Sequence, residues 1–187
     1  MVDGHDVTPK LAAQLGVPRA ELLPMLRAAR DDDLEGGSTS PQEYWARFRE
    51  ISGYDLPGDP WADLFTPVRR RAMYELVERL KAAGVRTVAG TNTIDSHYAI
   101  HDERGDYAVF DKVYASNLMH VSKPDHGFWR HILSEEGVDA HEALFLDDLA
   151  ENVAGAAAVG LHAVQYLTLP QAISAMERAF GLDPVAR

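Results

Sequence analysis

Two neighbouring carboxylates, Asp147 and Asp148, stand directly after the apolar run Ala143-Leu144-Phe145-Leu146. A short continuous apolar run bounded this way reads as a buried strand of a parallel sheet. Ligands in open α/β sheets bind at the carboxyl ends of such strands. Side by side there, two carboxylates repel each other, and desolvation raises the pKa of at least one. A divalent cation relieves both effects, and hard oxygen ligands suit Mg2+, which keeps waters and takes phosphate oxygens from a substrate. The segment alone equally allows Asp148 to cap a helix over 149–159 while Asp147 is solvated.

Two more strand ends carry polar groups. Thr91-Asn92 follow the run Val85-Arg86-Thr87-Val88-Ala89-Gly90, and Ser122-Lys123-Pro124 precede a helix start. Strand ends of a parallel sheet point one way, so these groups can converge on one crevice. A hydroxyl, an amide, a lysine and two metal-holding carboxylates fit a phosphoryl group: donors and a cation surround its oxygens, and the metal neutralises developing charge.

The elements that position these groups follow from the pattern. In the first third, Thr8-Pro9 reads as an N-cap followed by Pro at the first helical position, with Gly16 as the stop. A second helix runs from Pro18 to Arg30, and residues 31–39 form a loop. Ser40-Pro41-Gln42-Glu43 is a capping box opening a helix that carries Tyr44, Trp45, Phe48 and Ile51 and stops at Gly53. That stripe is read as core rather than as a substrate wall. After a short helix from Trp61, Thr66-Pro67 caps a helix with Met73, Leu76, Val77 and Leu80 inward, ending at Gly84. Strands at 85–90, 109–115, 143–146 and 161–166 then alternate with helices at 94–102, 124–133 and 149–159, and a helix over 169–180 closes the chain. This predicts an α/β protein: a helical subdomain over residues 1–66 on a Rossmann-like parallel sheet over residues 67–187.

Composition sets outer bounds. The 187 residues suffice for one substantial core, and 46% hydrophobic with 25% charged residues is ordinary for a soluble globular protein. A net charge of −11, with no basic run longer than Arg69-Arg70-Arg71, argues against a nucleic-acid partner. Absence of cysteine excludes disulfides, thiol catalysis and Cys-ligated zinc. No apolar stretch has the length of a membrane span and the first thirty residues have no apolar h-region, so the expected location is cytoplasmic. Oligomeric state leaves no sign in the pattern. His97 and His101 have metal-ligand spacing but no third ligand, and are read as a solvated or partly packed pair. His120, His126 and His131 lie near Lys123 and are read as surface residues. Arginines at 69–71, at a helix start where the dipole disfavours cations, are read as a solvated face, with acidic partners nearby as the alternative.

The ordered set resembles the haloacid dehalogenase-like hydrolases, in the branch with a small helical cap. Val88-Ala89-Gly90-Thr91-Asn92 is similar to that family's second motif. The stretch from Phe110 to Ser116, followed by Ser122-Lys123-Pro124-Asp125, resembles the third. Phe145-Leu146-Asp147-Asp148-Leu149-Ala150-Glu151-Asn152-Val153, with Gly160 beyond, resembles the fourth. The resemblance implies a Mg2+-dependent phosphatase of a small phosphorylated metabolite. Thr91 would hydrogen-bond the phosphoryl oxygens beside Asn92, Lys123 would stabilise their charge, and Asp148 with help from Asp147 would hold Mg2+.

One part of the family pattern has no match. Its first motif is a strand ending Asp-x-Asp-Gly, whose first Asp is the nucleophile and whose second is the general acid/base. Forcing Met1-Val2-Asp3-Gly4-His5 onto it leaves Met1 in the nucleophile's place and Asp3 in the acid's. The expectation is instead that the motif lies upstream, that the central strand is missing between strands 85–90 and 143–147, and that the chain as written is inactive. A non-catalytic relative that acts by binding is the alternative.

Overall fold

The computed structural model of the chain describes residues 2–3, 6–29 and 34–182, the first two by backbone alone. Met1, Gly4, His5 and the side chain of Asp3, on which the first-motif alignment rests, lie outside the described residues, as does part of the 31–39 loop.

The helical part contains α1 (Thr8–Leu15), α2 (Arg19–Ala28), α3 (Pro41–Ser52) and α4 (Pro60–Asp63). Helix α1 starts one residue earlier than Thr8 capping implied: Val7 is the cap, and the Asp6 carboxylate accepts from the Thr8 N–H at 2.9 Å. In α3 the Ser40 and Glu43 side chains cap each other's backbone, and Gly53 ends the helix at φ 73°. Tyr44, Trp45 and Phe48 enter a core with Leu11, Leu22, Leu26, Trp61 and Phe65, whereas Ile51 is half exposed, so packing stops a turn before the helix does. Asp59 binds the Trp45 indole N–H at 2.9 Å and also caps α4, joining the two aromatic helices.

Thr66-Pro67 does not open the next helix. The chain stays extended through β2 (Val68–Arg69), which pairs antiparallel with β1 (Val2–Asp3), and α5 (Arg71–Ala82) begins only after Arg70. Strand pairing engages the backbone groups that an earlier helix start would have needed.

The second part alternates β3 (Val88–Thr91), α6 (Asp95–Glu103), β4 (Lys112–Ala115), α7 (Ser116–Met119), α8 (His126–Glu136), β5 (Leu144–Asp147), α9 (Ala150–Val159), β6 (His162–Gln165) and α10 (Leu169–Phe180). The class is α/β, with parallel pairs β3–β4 and β5–β6, registered Thr91↔Ala115 and Asp147↔Gln165. Among the described residues no ladder hydrogen bonds join the two pairs. Asp111 N–H donates to Thr87 O at 2.8 Å, so alternation turns the Val88 and Gly90 backbone groups away from β4. Ala143 O and Asp147 O accept from His162 and Tyr166, which turns the groups of Leu144 and Leu146 away from β6.

Period-two alternation explains why residues 144–146 are apolar without a break. Leu144 and Leu146 pack with Met73, Leu76 and Leu80 of α5 and Met176 of α10. Phe145 faces the other way, onto Phe128 and Trp129 of α8 and Ala156 of α9. Gly155 permits the close approach of α8 and α9, because a Cβ there would lie 2.6 Å from the Trp129 ring and 2.9 Å from Pro124 O. No helix among the described residues is long and apolar enough to cross a membrane.

Candidate active site

The carboxyl ends of β3 and β5 meet at one ammonium. Lys123 Nζ donates to Gly90 O at 3.1 Å and to Asp147 Oδ2 at 2.7 Å, with the rings of Phe145 and Phe128 at 5.6 and 5.8 Å. The two side chains are only 9% and 8% exposed, so their attraction is little screened by water. Lys123 reaches this point because its own backbone is clamped: its N–H donates to Asn92 Oδ1 at 2.8 Å and its carbonyl accepts from Asn92 Nδ2 at 2.9 Å. Asn92 therefore positions Lys123 through both ends of its amide. Thr91, between Gly90 and Asn92, rests its hydroxyl on Asn92 O at 3.2 Å, a weak bond that a phosphoryl oxygen can displace.

The adjacent carboxylates have separate fates. Asp147 is sequestered: besides Lys123 it accepts from the Leu149 N–H at 2.9 Å and from Asn152 Nδ2 at 3.0 Å, both on Oδ1. Burial pushes its carboxyl up, but the Lys123 charge and hydrogen bond, the Leu149 N–H and the Asn152 amide outweigh burial and hold it below the usual carboxylate range. Asp148 is exposed, and its carbonyl accepts from Gln165 Nε2 at 3.0 Å. This reverses the arrangement in which Asp148 caps the helix and Asp147 is solvated: the cap position of α9 is Leu149, with no side-chain bond. Among the described residues no group of three or more His, Asp or Glu side chains is disposed to hold a metal.

The structure thus brings Thr91, Asn92, Lys123 and Asp147 together and leaves Asp148 at the rim. Asn152 has a role that motif spacing did not assign. The available signal was a polar residue in the first turn of a helix otherwise rich in Ala, Gly and Val, where it is buried.

The remaining candidates are packed elsewhere. His97 stacks on Phe65 with ring centroids 3.8 Å apart, and His101 Nδ1 lies 2.7 Å from Asp106 Oδ2, so the pair is partly packed. Asp106 is buried and also ion-pairs with Arg69 and, at 3.1 Å, with Arg104. Burial raises its carboxyl, yet His101, Arg69 and Arg104 lower it further, leaving a net depression. Asp106 on Arg69, and Glu75 on Arg71 at 2.7 Å, give the arginine run acidic partners where a solvated face is its default reading. His120 Nδ1 lies 3.0 Å from Gly36 O and serves the junction with the helical part.

Comparison with known proteins bears on the family and the fold. Residues 12–160 match the sequence profile of the haloacid dehalogenase-like hydrolases. The sesquiterpene phosphatase astK of Aspergillus oryzae is 31% identical over 136 residues, covering 70% of this chain and 68% of that protein. Acyl-CoA dehydrogenase family member 10 of Mus musculus is 28% identical over 144 residues, 75% of this chain but 14% of that protein. A HAD family enzyme of Bacteroides thetaiotaomicron has the same fold at 21% identity, with a TM-score of 0.68 over 85% of this chain and 82% of its own. The same enzyme in complex with magnesium and inorganic phosphate aligns at 23% identity and TM-score 0.61, over 71% of this chain and 72% of its own.

Proposed function

The chain belongs to the haloacid dehalogenase-like hydrolases, and on that premise we propose that it takes the phosphoryl group of a small phosphorylated metabolite at Lys123, the reaction class being phosphomonoester hydrolysis. The supporting observation is the nearly buried Lys123 ammonium, fixed between Gly90 O and Asp147 where β3 and β5 end. Such a cation can exchange a neutral carbonyl for a phosphoryl oxygen and gain a charge-assisted bond. Thr91 would add a hydroxyl donor, and Asn92 and Asp147 would hold the ammonium in place.

The donor set suits Mg2+, a hard cation that keeps several waters and needs few carboxylates. Asp148 would hold it at the rim, with Asp147 behind. When bound, the ion would supply charge neutralisation on the phosphoryl oxygens. Residues 1–66 would act as a cap over 67–187, a reading supported by the His120 contact to Gly36 O.

The nucleophile is a separate matter. Asp147 is engaged by three donors, and Thr91 has no base among its hydrogen-bond partners. We therefore infer that neither Asp147 nor Thr91 is the attacking group, and read the 187 residues as binding phosphate without turning it over.

Calorimetry with inorganic phosphate, with and without Mg2+, tests the site. Binding should be lost in Lys123→Ala while the fold is kept, and undiminished binding in that variant refutes the site. An assay with an aryl phosphate should show no turnover by this chain. Turnover should appear in a version extended at its N-terminus by an apolar strand ending Asp-x-Asp-Gly. Robust turnover by the unextended chain refutes the second part.

A further inference from the structure

The two flanks of the Lys123 site differ. At the ends of β3 and β4 the helical part lies on the site. Gly36 O meets the His120 ring, the Glu35 carboxylate reaches the Asn92 amide at 3.5 Å, and Gly37 abuts the Asn117 carbonyl so closely that no Cβ fits there. At the ends of β5 and β6 two leucines stand in water instead: Leu149 is 52% exposed and Leu167 68%. The β5–β6 register pairs Asp147 with Gln165, so each leucine lies two residues beyond a paired position.

Neither leucine is on a loose loop. The Leu149 N–H donates to Asp147 Oδ1, the carboxylate whose other oxygen holds Lys123. The Leu167 N–H donates to Gln171 Oε1 at 3.2 Å, and the same amide donates to Gln165 O at 2.9 Å. Neighbouring Tyr166 is fixed by Arg70, which donates to its hydroxyl at 3.0 Å and lies over its ring. The Gln165 amide is already bonded to the Asp148 carbonyl and does not offer that N–H to a hydroxylated ligand.

We propose that Leu149 and Leu167 are the contact surface for the apolar part of a phosphoester, so that the ligand class is the phosphate of an apolar alcohol rather than a sugar phosphate. The inference rests on the Lys123 phosphate reading and adds the direction in which the ester chain leaves. A phosphate held by Lys123 and blocked toward β3–β4 extends its ester oxygen over Leu149, and Leu167 continues that surface. Two large apolar side chains, exposed on backbone positions that are hydrogen-bonded in place, match the apolar lining with few polar anchors that small-molecule sites use.

The test measures affinity for butyl, hexyl and octyl phosphate below their micelle concentrations, with inorganic phosphate, a sugar phosphate and octanol alongside. Partial burial of each methylene predicts affinity rising about twofold per carbon, and octanol alone should bind little. Leu149→Ser with Leu167→Ser should abolish the chain-length dependence, and Leu167→Ser alone should weaken it while leaving affinity for inorganic phosphate unchanged. If phosphate binds but chain length has no effect, or the sugar phosphate binds best, the inference falls and the Lys123 site stands. If no phosphate binds, both fall. Concentration-dependent self-association that the double serine variant removes would assign the surface to a second copy and overturn the proposal.

Discussion

Replacing Asp147 by Asn keeps the shape of the side chain and removes the one negative charge bonded to Lys123. If Oδ1 keeps its bonds to the Leu149 N–H and Asn152, the new amide NH2 faces the ammonium, donor against donor. Breaking one partner of a buried pair costs about 3–5 kcal/mol. Because Lys123 retains Gly90 O, the lower end, about 3 kcal/mol, is expected. With a urea m-value of about 2 kcal/mol/M, the midpoint should fall by about 1.5 M. Lys123→Met leaves Asp147 its two N–H donors and should cost about 2 kcal/mol. The double variant should be more stable than the sum of the two changes implies by about 1.5 kcal/mol or more. The pH dependence has a definite sign. Burial raises the Asp147 carboxyl, but Lys123, the Leu149 N–H and Asn152 lower it more, so its folded value lies below its unfolded one. Such a group contributes stability fully above the unfolded value of about 3.9 and loses it as pH falls through the lower folded value. The coupling should therefore be level from pH 7 to pH 5 and disappear in the acid limb below about pH 4. Equilibrium urea unfolding of the four proteins across that range gives the answer. A coupling under about 0.5 kcal/mol at pH 7, the size of a solvated surface pair, would refute the claim that the ammonium is held in a shielded site.

Two further outcomes follow from packing away from Lys123. Asp106→Asn should lower stability in thermal unfolding, because a buried position loses the charge that meets His101, Arg69 and Arg104; phosphate affinity measured by calorimetry should not change. Gly155→Ala should cost about 1–3 kcal/mol by overpacking, read by thermal unfolding, and should cost less when made in a Trp129→Leu background, since the added methyl meets the indole ring.

The chain determines its local elements by itself. Short apolar runs mark the strands, Ser40 and Glu43 announce α3, and glycines after α1, α3 and α9 stop them with left-handed caps. The polar residues at strand ends were also legible, because a parallel sheet sends all its carboxyl ends one way. Periodicity did not reveal the use of each polar atom there. Asp147 and Asp148 are alike in sequence, yet one is fixed to Lys123 and the other is exposed. Asn92 clamps a backbone 31 residues away, and Arg69 finds Asp106 across 37 residues. Thr66-Pro67 has the signature of a helix start, but the pairing of Val68–Arg69 with Val2–Asp3 keeps the chain extended there. Local patterns report the torsions and faces a segment prefers on its own. Which donor meets which acceptor depends on where folding places the ends of separate strands, and burial makes that placement binding, since a shielded charge without its partner costs several kcal/mol.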